Sequence, residues 1–144
     1  MKPQVRASVR WFLILLYFAA GVVHLVNPAV FLMIMPRWVA APGFVIHATG
    51  VAEIAGAIAL AQPFSSLLRK IAGACLAAYA LCVWPANINH LLIDMALPGS
   101  GWGLAYHIPR MFLQPVLIWA ALWASGAIEW PFRPSLPNTV SEIR

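Results

Sequence analysis

The chain alternates between four long apolar runs and short segments that contain proline, glycine or basic residues. The runs cover about residues 5–26, 43–61, 66–96 and 106–127. A helix needs roughly 20 residues to cross a hydrocarbon core about 30 Å thick, so each run is predicted to be one membrane span. The predicted fold is therefore all-α, an integral membrane four-helix bundle in a single membrane domain over residues 1–144.

The breaks between the runs predict where these helices begin and end. Asn27-Pro28 follows the first run and is a typical helix start, with Asn as the N-cap and Pro at the first helical position. We therefore predict a short interfacial helix over about 28–35, closed by Pro36. Pro85 lies inside the third run and predicts a kink, because it deprives the Leu81 carbonyl of its helical donor. Residues 130–144 are predicted to be a loose tail.

Composition supports lipid as the solvent. Hydrophobic residues make up 62% of the chain and charged residues 9%, whereas soluble domains average about 45–50% and about 25%. These values exclude a water-soluble enzyme and a disordered protein. The net charge of +5 does not indicate nucleic acid as a partner, because the basic residues are scattered and lack aromatic interleaving. The expected partner is the lipid bilayer.

The positions of the basic residues predict the topology. They flank the first run, separate the second run from the third, and follow the last run: Lys2, Arg6, Arg10, Arg69, Lys70, Arg133 and Arg144. The positive-inside rule then predicts a multi-pass N-in/C-in protein with both termini in the cytoplasm. Five tryptophans are predicted to anchor the protein at the membrane interfaces: Trp11, Trp38, Trp102, Trp123 and Trp130.

Two cysteines on the third run are predicted to have a structural role. Cys75 and Cys82 are seven residues apart, about 10 Å along a helix, which is too far for a disulfide. We expect both to be small, buried core residues.

Polar side chains within the spans are concentrated in one half of the membrane. With the N-in topology, all four histidines fall in the outer half, together with most of the ionisable residues that the spans contain. Such residues are costly in lipid and usually face the bundle interior. The sequence therefore predicts a polar pocket in the outer half, with the candidate residues Tyr17, His24, His47, Glu53, Trp84, Asn87, His90, His107, Arg110 and Gln114.

We assign candidate catalytic roles to Glu53, His24 and His90. Glu53 lies too deep to reach water easily, so it should be protonated or paired with His24, Asn87 or Arg110. Its alternative role is a structural hydrogen bond between helices. Ligand-binding roles are predicted for Tyr17, His47, Trp84, Asn87, His107, Arg110 and Gln114. The competing interpretations are contact with water for His47 and His107, inter-helix bonding for Gln114, and an interfacial position for Asp94. Asn87 could instead satisfy carbonyls that Pro85 frees. Arg110 could extend outward to water or pair with Glu53 or Asp94.

The residue types leave two kinds of chemistry open. Histidine ligates haem iron, copper and zinc, and it also relays protons or bonds a quinone carbonyl. The candidate metal ligands are His24, His47, His90 and His107, but they lack spacings such as His-x-x-x-His. Quinone and haem or metal therefore both stay open as cofactors. The sequence does not decide whether the protein is an enzyme, or whether it forms a homo-oligomer.

Several motifs resemble the DoxX-like family of small four-helix membrane proteins of bacteria and archaea. The resemblance covers about residues 10–125 and rests on the segments Gly21-x-x-His24-x-x-x-Pro28-x-x-Phe31, Gly50-Val-Ala-Glu53-Ile-x-Gly56 and Pro85-Ala-Asn87. It implies a four-helix bundle in the bacterial inner membrane, linked to quinone-dependent or other redox complexes. The histidines at 47, 90 and 107, with Arg110, are not part of the family pattern. The function expected from residues and resemblance together is a redox-related pocket protein; the alternative is a non-catalytic ligand-binding or assembly subunit.

Overall fold

The computed structural model describes residues 3–99 and 101–132, which form five helices and no strand. The helices are α1 (Pro3–Val26), α2 (Pro28–Leu32), α3 (Pro42–Ala61), α4 (Ser66–Ala96) and α5 (Leu104–Ser125). The all-α prediction is confirmed for this part of the chain. Lys2, Arg133, Arg144 and most of the predicted tail lie outside the described residues.

The helix ends follow from local sequence. Proline occupies the first position of α2 and of α3, where its missing N–H costs nothing. Asn27 is the N-cap residue of α2, as predicted, but its side chain makes no capping bond. The side chain of Ser65 caps α4 by accepting from the Leu68 amide at 3.2 Å. Helix α2 ends at Leu32, earlier than predicted, and α4 stays helical through Pro85.

Three helices are long and apolar enough to cross a membrane: α1, α3 and α4. The helix α5, predicted as the fourth span, is not one of them. Its first half contains His107, Arg110, Gln114 and one proline, and a second proline follows at 115; these residues lower its hydropathy. Whether α5 enters lipid therefore depends on how its polar side chains are covered by other helices.

The four long helices pack in a closed ring. Helix α1 packs on α3, α3 on α4, α4 on α5, and α5 on α1, while α2 lies against α1 and α3. One end of this ring is apolar, with a core that includes Leu13, Leu60, Leu76 and Ala121. The other end contains the polar residues and comprises the C-terminal halves of α1 and α4 and the N-terminal halves of α3 and α5. We call it the polar end.

The contact between α1 and α3 depends on two facing glycines. A Cβ atom added to Gly21 would lie 2.7 Å from the Gly50 carbonyl oxygen, and one added to Gly50 would lie 2.9 Å from the Cβ of His24. Both separations are shorter than packed atoms allow. Small residues here let the two backbones approach closely, which is a common device for packing helices in lipid.

Replacing Gly21 by alanine should therefore lower stability. We expect the free energy of unfolding to fall by about 1–3 kcal/mol, the usual cost of overpacking, as measured by unfolding in detergent micelles. Gly43→Ala is the matched control, because a Cβ there meets no atom within 4 Å and alanine favours the helix. Equal stability of the two variants would contradict the close α1–α3 approach.

Two predictions about individual residues are wrong. Trp123 is 1% exposed and lies in the core rather than at an interface, because it stacks on Trp119 and the Arg6 guanidinium lies 5.0 Å from its ring centre. The other four tryptophans predicted as anchors are exposed. Cys75 and Cys82 are also exposed rather than buried, because both border cavities beside α4.

The chain after α5 is attached to α1 by one ion pair. Arg6 donates to both carboxylate oxygens of Glu129, at 3.1 and 2.5 Å. The hydrogen bonds from Arg6 hold the pKa of Glu129 below its ordinary value of 4.5. Because that pKa is depressed, the ion pair stabilises the folded protein at pH values above the ordinary pKa of the carboxyl group. This stabilisation disappears as pH falls through the depressed pKa.

Candidate functional site

The polar end contains a cavity of about 350 Å³ between α1, α3, α4 and the connection from α2 to α3. Apolar side chains of the connection form one wall, and α4 forms another with residues at i, i+3, i+4 and i+7: Tyr79, Cys82, Val83 and Ala86. Polar groups reach the cavity at His24, Thr49, Asn87 and Arg110. An apolar space with a few converging polar groups is typical of a binding site for a small molecule.

The connection from α2 to α3 is held over this cavity by α4. The side-chain amide of Asn89 donates to the Ile34 carbonyl oxygen at 2.9 Å. This bond fixes the connection, which contributes Ile34, Met35 and Trp38 to the cavity wall. The wall is therefore an ordered, non-helical segment.

His24 and Glu53 form a pair beside the cavity. Glu53 is 3% exposed, and its Oε2 lies 2.7 Å from Nδ1 of His24. The same nitrogen lies 2.9 Å from the Ala20 carbonyl oxygen and carries at most one hydrogen, so it can donate to only one of the two oxygens. Phe31 stacks on the imidazole, with ring centres 3.8 Å apart. Of the three partners predicted for Glu53, the structure selects His24.

Two tyrosines surround the Glu53 carboxyl group. The Tyr79 hydroxyl faces both Glu53 and the Thr49 hydroxyl. Tyr17 contacts Tyr79 edge to face, with ring centres 6.4 Å apart, and its buried hydroxyl has no partner among the described residues. Glu53 is thus held in a site that contains several hydroxyl groups but no described cation other than a protonated His24.

Arg110 crosses from α5 to α4 and organises the opposite side of the cavity. It donates to Nδ1 of His90 at 2.9 Å and to Oδ1 of Asn87 at 2.5 Å. Asn87 donates to Gln114 at 3.2 Å, and Gln114 donates to the Ala80 carbonyl oxygen. Asn87 therefore bonds to side chains of α5, and not to carbonyls freed by Pro85. Arg110 meets neither of its predicted carboxylate partners.

Asp94 joins α4 to α5 and to the loop between them. Its Oδ2 accepts from the Trp102 amide and lies 3.0 Å from Nε2 of His107, while Oδ1 lies 3.6 Å from Nε2 of His90. Asp94 is 5% exposed and His107 is fully buried. The predicted alternatives for these two residues, an interfacial carboxylate and a histidine in contact with water, do not describe them.

His90, Asp94 and His107 have their ligating atoms within 4.8 Å of one another, so we tested whether they fit a metal ion. A histidine bound through Nε2 keeps its hydrogen on Nδ1 and gives it to an acceptor. Nδ1 of His90 instead faces an N–H of Arg110, and Nδ1 of His107 has no partner among the described residues. In this arrangement the cluster fits a hydrogen-bonded network rather than a metal site.

The structure brings most of the predicted site residues together, but it does not bring all of them. His47 is exposed and its Nδ1 bonds to the Gly43 carbonyl oxygen. Three predicted residues border the cavity: His24, Asn87 and Arg110. Five others lie in the polar groups beside it without bordering it: Tyr17, Glu53, His90, His107 and Gln114. Neither His47 nor Trp84 borders the cavity. The four histidines lie in different surroundings: His24 beside Glu53, His90 and His107 beside Asp94, and His47 by itself.

Three contributors were missed by sequence reasoning. Tyr79 could have been found, because it precedes Asn87 by eight residues and lies on the same helical face. Phe31 belongs to the motif that carries the family resemblance, three residues after Pro28, but it was given no role in the site. Asn89 gave no such signal, because its contact depends on how the connection after α2 folds back onto the helices.

Comparison with known proteins gives one match. A family model described as "Domain of unknown function (DUF8561)" matches residues 13–125, from α1 to the last residue of α5. No curated protein and no solved structure matches the chain. The matched segment contains the cavity and every residue of the polar networks around it.

Proposed function

We propose that this chain, which belongs to the DUF8561 family of domains of unknown function, is a membrane protein that binds a lipid-soluble ring compound of the quinone class. The observation that carries this proposal is the close approach of half-buried His24 to the buried Glu53 carboxyl group beside an apolar cavity of about 350 Å³. Quinones need apolar walls for the ring, donors for the carbonyl oxygens, and a proton source when they are reduced.

The membrane setting of the proposal has four spans. Large apolar side chains are exposed on the outer faces of the helices, including Phe12 at 60%, Leu15 at 68% and Phe112 at 73%. Phe112 belongs to α5, whose polar side chains turn instead toward α4. This arrangement supports α5 as the fourth span of a four-helix membrane bundle. The N-in/C-in topology in a bacterial inner membrane and the relation to DoxX-like proteins are part of the same proposal.

The proposed roles follow from position. His24 donates to a quinone carbonyl at one side of the cavity, and Glu53 holds a proton that can pass through His24. The apolar residues of the α2–α3 connection cover the ring and exclude water. The electrons for any reduction come from a partner redox subunit of the membrane, since the residues described around the cavity supply only binding groups and protons.

The rival function is a non-catalytic assembly subunit. It is favoured by Asn87 and Gln114, whose side chains are used in bonds between α4 and α5. On this alternative, changes at Glu53 and His24 lower stability without altering any ligand interaction.

Titration of the purified protein with decylubiquinone tests the proposal. We expect saturable quenching of tryptophan fluorescence, because Trp38 borders the cavity. Glu53→Gln should weaken binding about tenfold or more, the usual effect of losing a charged or proton-donating partner. Glu129→Gln makes the same change outside the cavity and should bind as the wild type does. Folded protein without saturable binding, or equal affinities for the two variants, would contradict the proposal.

The two cysteines locate the bound quinone. Cys82 borders the cavity between α1, α3 and α4, whereas Cys75 borders a different one. Decylubiquinone should slow alkylation of Cys82 and leave Cys75 unchanged, as measured by mass spectrometry of the two peptides. Its fully substituted ring does not add thiols, so protection reports occupancy alone. Equal protection of both thiols would place the ligand elsewhere.

A further inference from the structure

The charge balance around the cavity is incomplete at Arg110. Among residues 3–99 and 101–132, the ion pairs join Arg6 to Glu129, His24 to Glu53, and two histidines to Asp94. Arg110 has no carboxylate within ion-pair distance in that range. It is half-buried, and its described hydrogen-bond partners, Asn87 and His90, are neutral when His90 accepts at Nδ1.

The guanidinium has binding capacity left. It carries more N–H donors than the two contacts with His90 and Asn87 use. One side lies 5.0 Å from the ring centre of Tyr106, and the group also borders the apolar cavity. A cation that is partly removed from water without a carboxylate partner is unfavourable, and an anionic ligand relieves that cost.

We propose that the ligand of this cavity is an acidic quinone, a ring compound with one ionised hydroxyl group whose oxygen is bound by Arg110. This inference rests on the proposed function and specifies its ligand class. Arg110 is the only arginine or lysine that borders the cavity among the described residues, so a single negative charge matches it. A phosphate diester with two acyl chains does not fit a space of about 350 Å³.

The two sides of the cavity then have different tasks. Arg110 binds the ionised oxygen, and His24 donates to a carbonyl of the same ring. Asn87 positions Arg110 through its Oδ1, and its amide donates to Gln114. Arg110 thus determines specificity for the charge of the ligand, whereas the His24–Glu53 pair can bind any quinone.

A matched pair of ligands tests this inference. The probes are 2-hydroxy-3-methyl-1,4-naphthoquinone, which is anionic at neutral pH, and 2,3-dimethyl-1,4-naphthoquinone, which is neutral and nearly the same size. Wild-type protein should bind the anionic probe about tenfold or more tightly than the neutral one, as expected for a charge-assisted hydrogen bond. Affinity is measured by tryptophan quenching and checked by protection of Cys82.

Variants identify the responsible cation. Arg110→Gln should remove the preference for the anionic probe, because it lowers affinity for that probe far more than affinity for the neutral one. Arg110→Lys should keep part of the preference, because it retains the charge without the planar fork. Arg37→Gln is the control, since Arg37 is exposed beside the cavity wall and does not border the cavity. Affinity for the neutral probe also reports whether Arg110→Gln is correctly folded.

The outcomes separate this inference from the proposed function. Equal wild-type affinity for the two probes, or a preference that survives in Arg110→Gln, overturns the acidic ligand and leaves quinone binding intact. Failure of both probes and of decylubiquinone to bind overturns the proposed function and this inference together. If Arg110→Gln no longer binds the neutral probe while Arg110→Lys binds both probes equally, Arg110 acts as a structural residue and the inference is wrong.

Discussion

Replacing Asp94 by alanine should lower the free energy of unfolding, because the change removes the acceptor that faces a fully buried imidazole. The carboxylate accepts from the Trp102 amide and lies 3.0 Å from Nε2 of the fully buried His107. Without it, the imidazole of His107 has no acceptor in a place that water does not reach, and the Trp102 amide loses the acceptor that holds the loop. The measurement is unfolding in detergent micelles followed by circular dichroism.

Asp94→Asn is the matched control for this change. Its amide oxygen can still accept from the Trp102 amide, so we expect roughly half of the loss seen with alanine. The loop over residues 97–103 should become sensitive to protease in Asp94→Ala, because the carboxylate holds it through Trp102. A stability equal to that of the wild type would mean that Asp94 does not connect α4, α5 and the loop.

Replacing Trp123 by alanine should cost about 3–5 kcal/mol, the range for deleting a large buried aromatic side chain. The indole is 1% exposed and stacks on Trp119, with ring centres 5.4 Å apart. Trp123→Phe is the control at the same position. Because the indole N–H has no partner among the described residues, phenylalanine loses no hydrogen bond and should cost only about 1 kcal/mol.

The Trp123 variants should lose stability without losing affinity for decylubiquinone. Trp123 lies 13 residues after Arg110 on α5, roughly 20 Å along the helix axis. The folded fraction of Trp123→Ala should therefore bind decylubiquinone with wild-type affinity. A parallel loss of stability and affinity would mean that the apolar end of the ring contributes to the cavity, contrary to the packing described.

Helix positions were predictable because apolar runs and prolines determine them locally. The four long helices begin and end within a few residues of the predicted bounds, and Pro28 begins the short helix α2 as expected. The burial of Trp123 was not predictable in this way. An aromatic residue near the end of an apolar run has the same local pattern whether it faces lipid or the core, and contacts with Arg6 and Trp119 decide between them.

The site was predictable as a region but not as a set of partners. Depth along the helices made His24 one of three predicted partners of Glu53, and the two groups lie 2.7 Å apart. The bond between Arg110 and Asn87 was not predicted. The partner of Arg110 was not predictable, because His90, Asp94 and Glu53 were all within reach by depth. The rotation of α4 relative to α5 turns His90 and Asn87 toward the guanidinium and Asp94 toward His107. The periodicity of one helix does not predict its rotation relative to another helix.

The contacts of α4 with the polar side chains of α5 have a consequence for the insertion of the two helices. On the proposed four-span arrangement, α5 by itself would expose an arginine, a histidine and a glutamine to hydrocarbon during insertion, at a cost of several kcal/mol. Paired with α4, the same groups meet Asn87, Asp94 and the Ala80 carbonyl oxygen. We therefore expect α4 and α5 to leave the translocation machinery as one helical hairpin, with the bonds between them formed before either helix is surrounded by lipid.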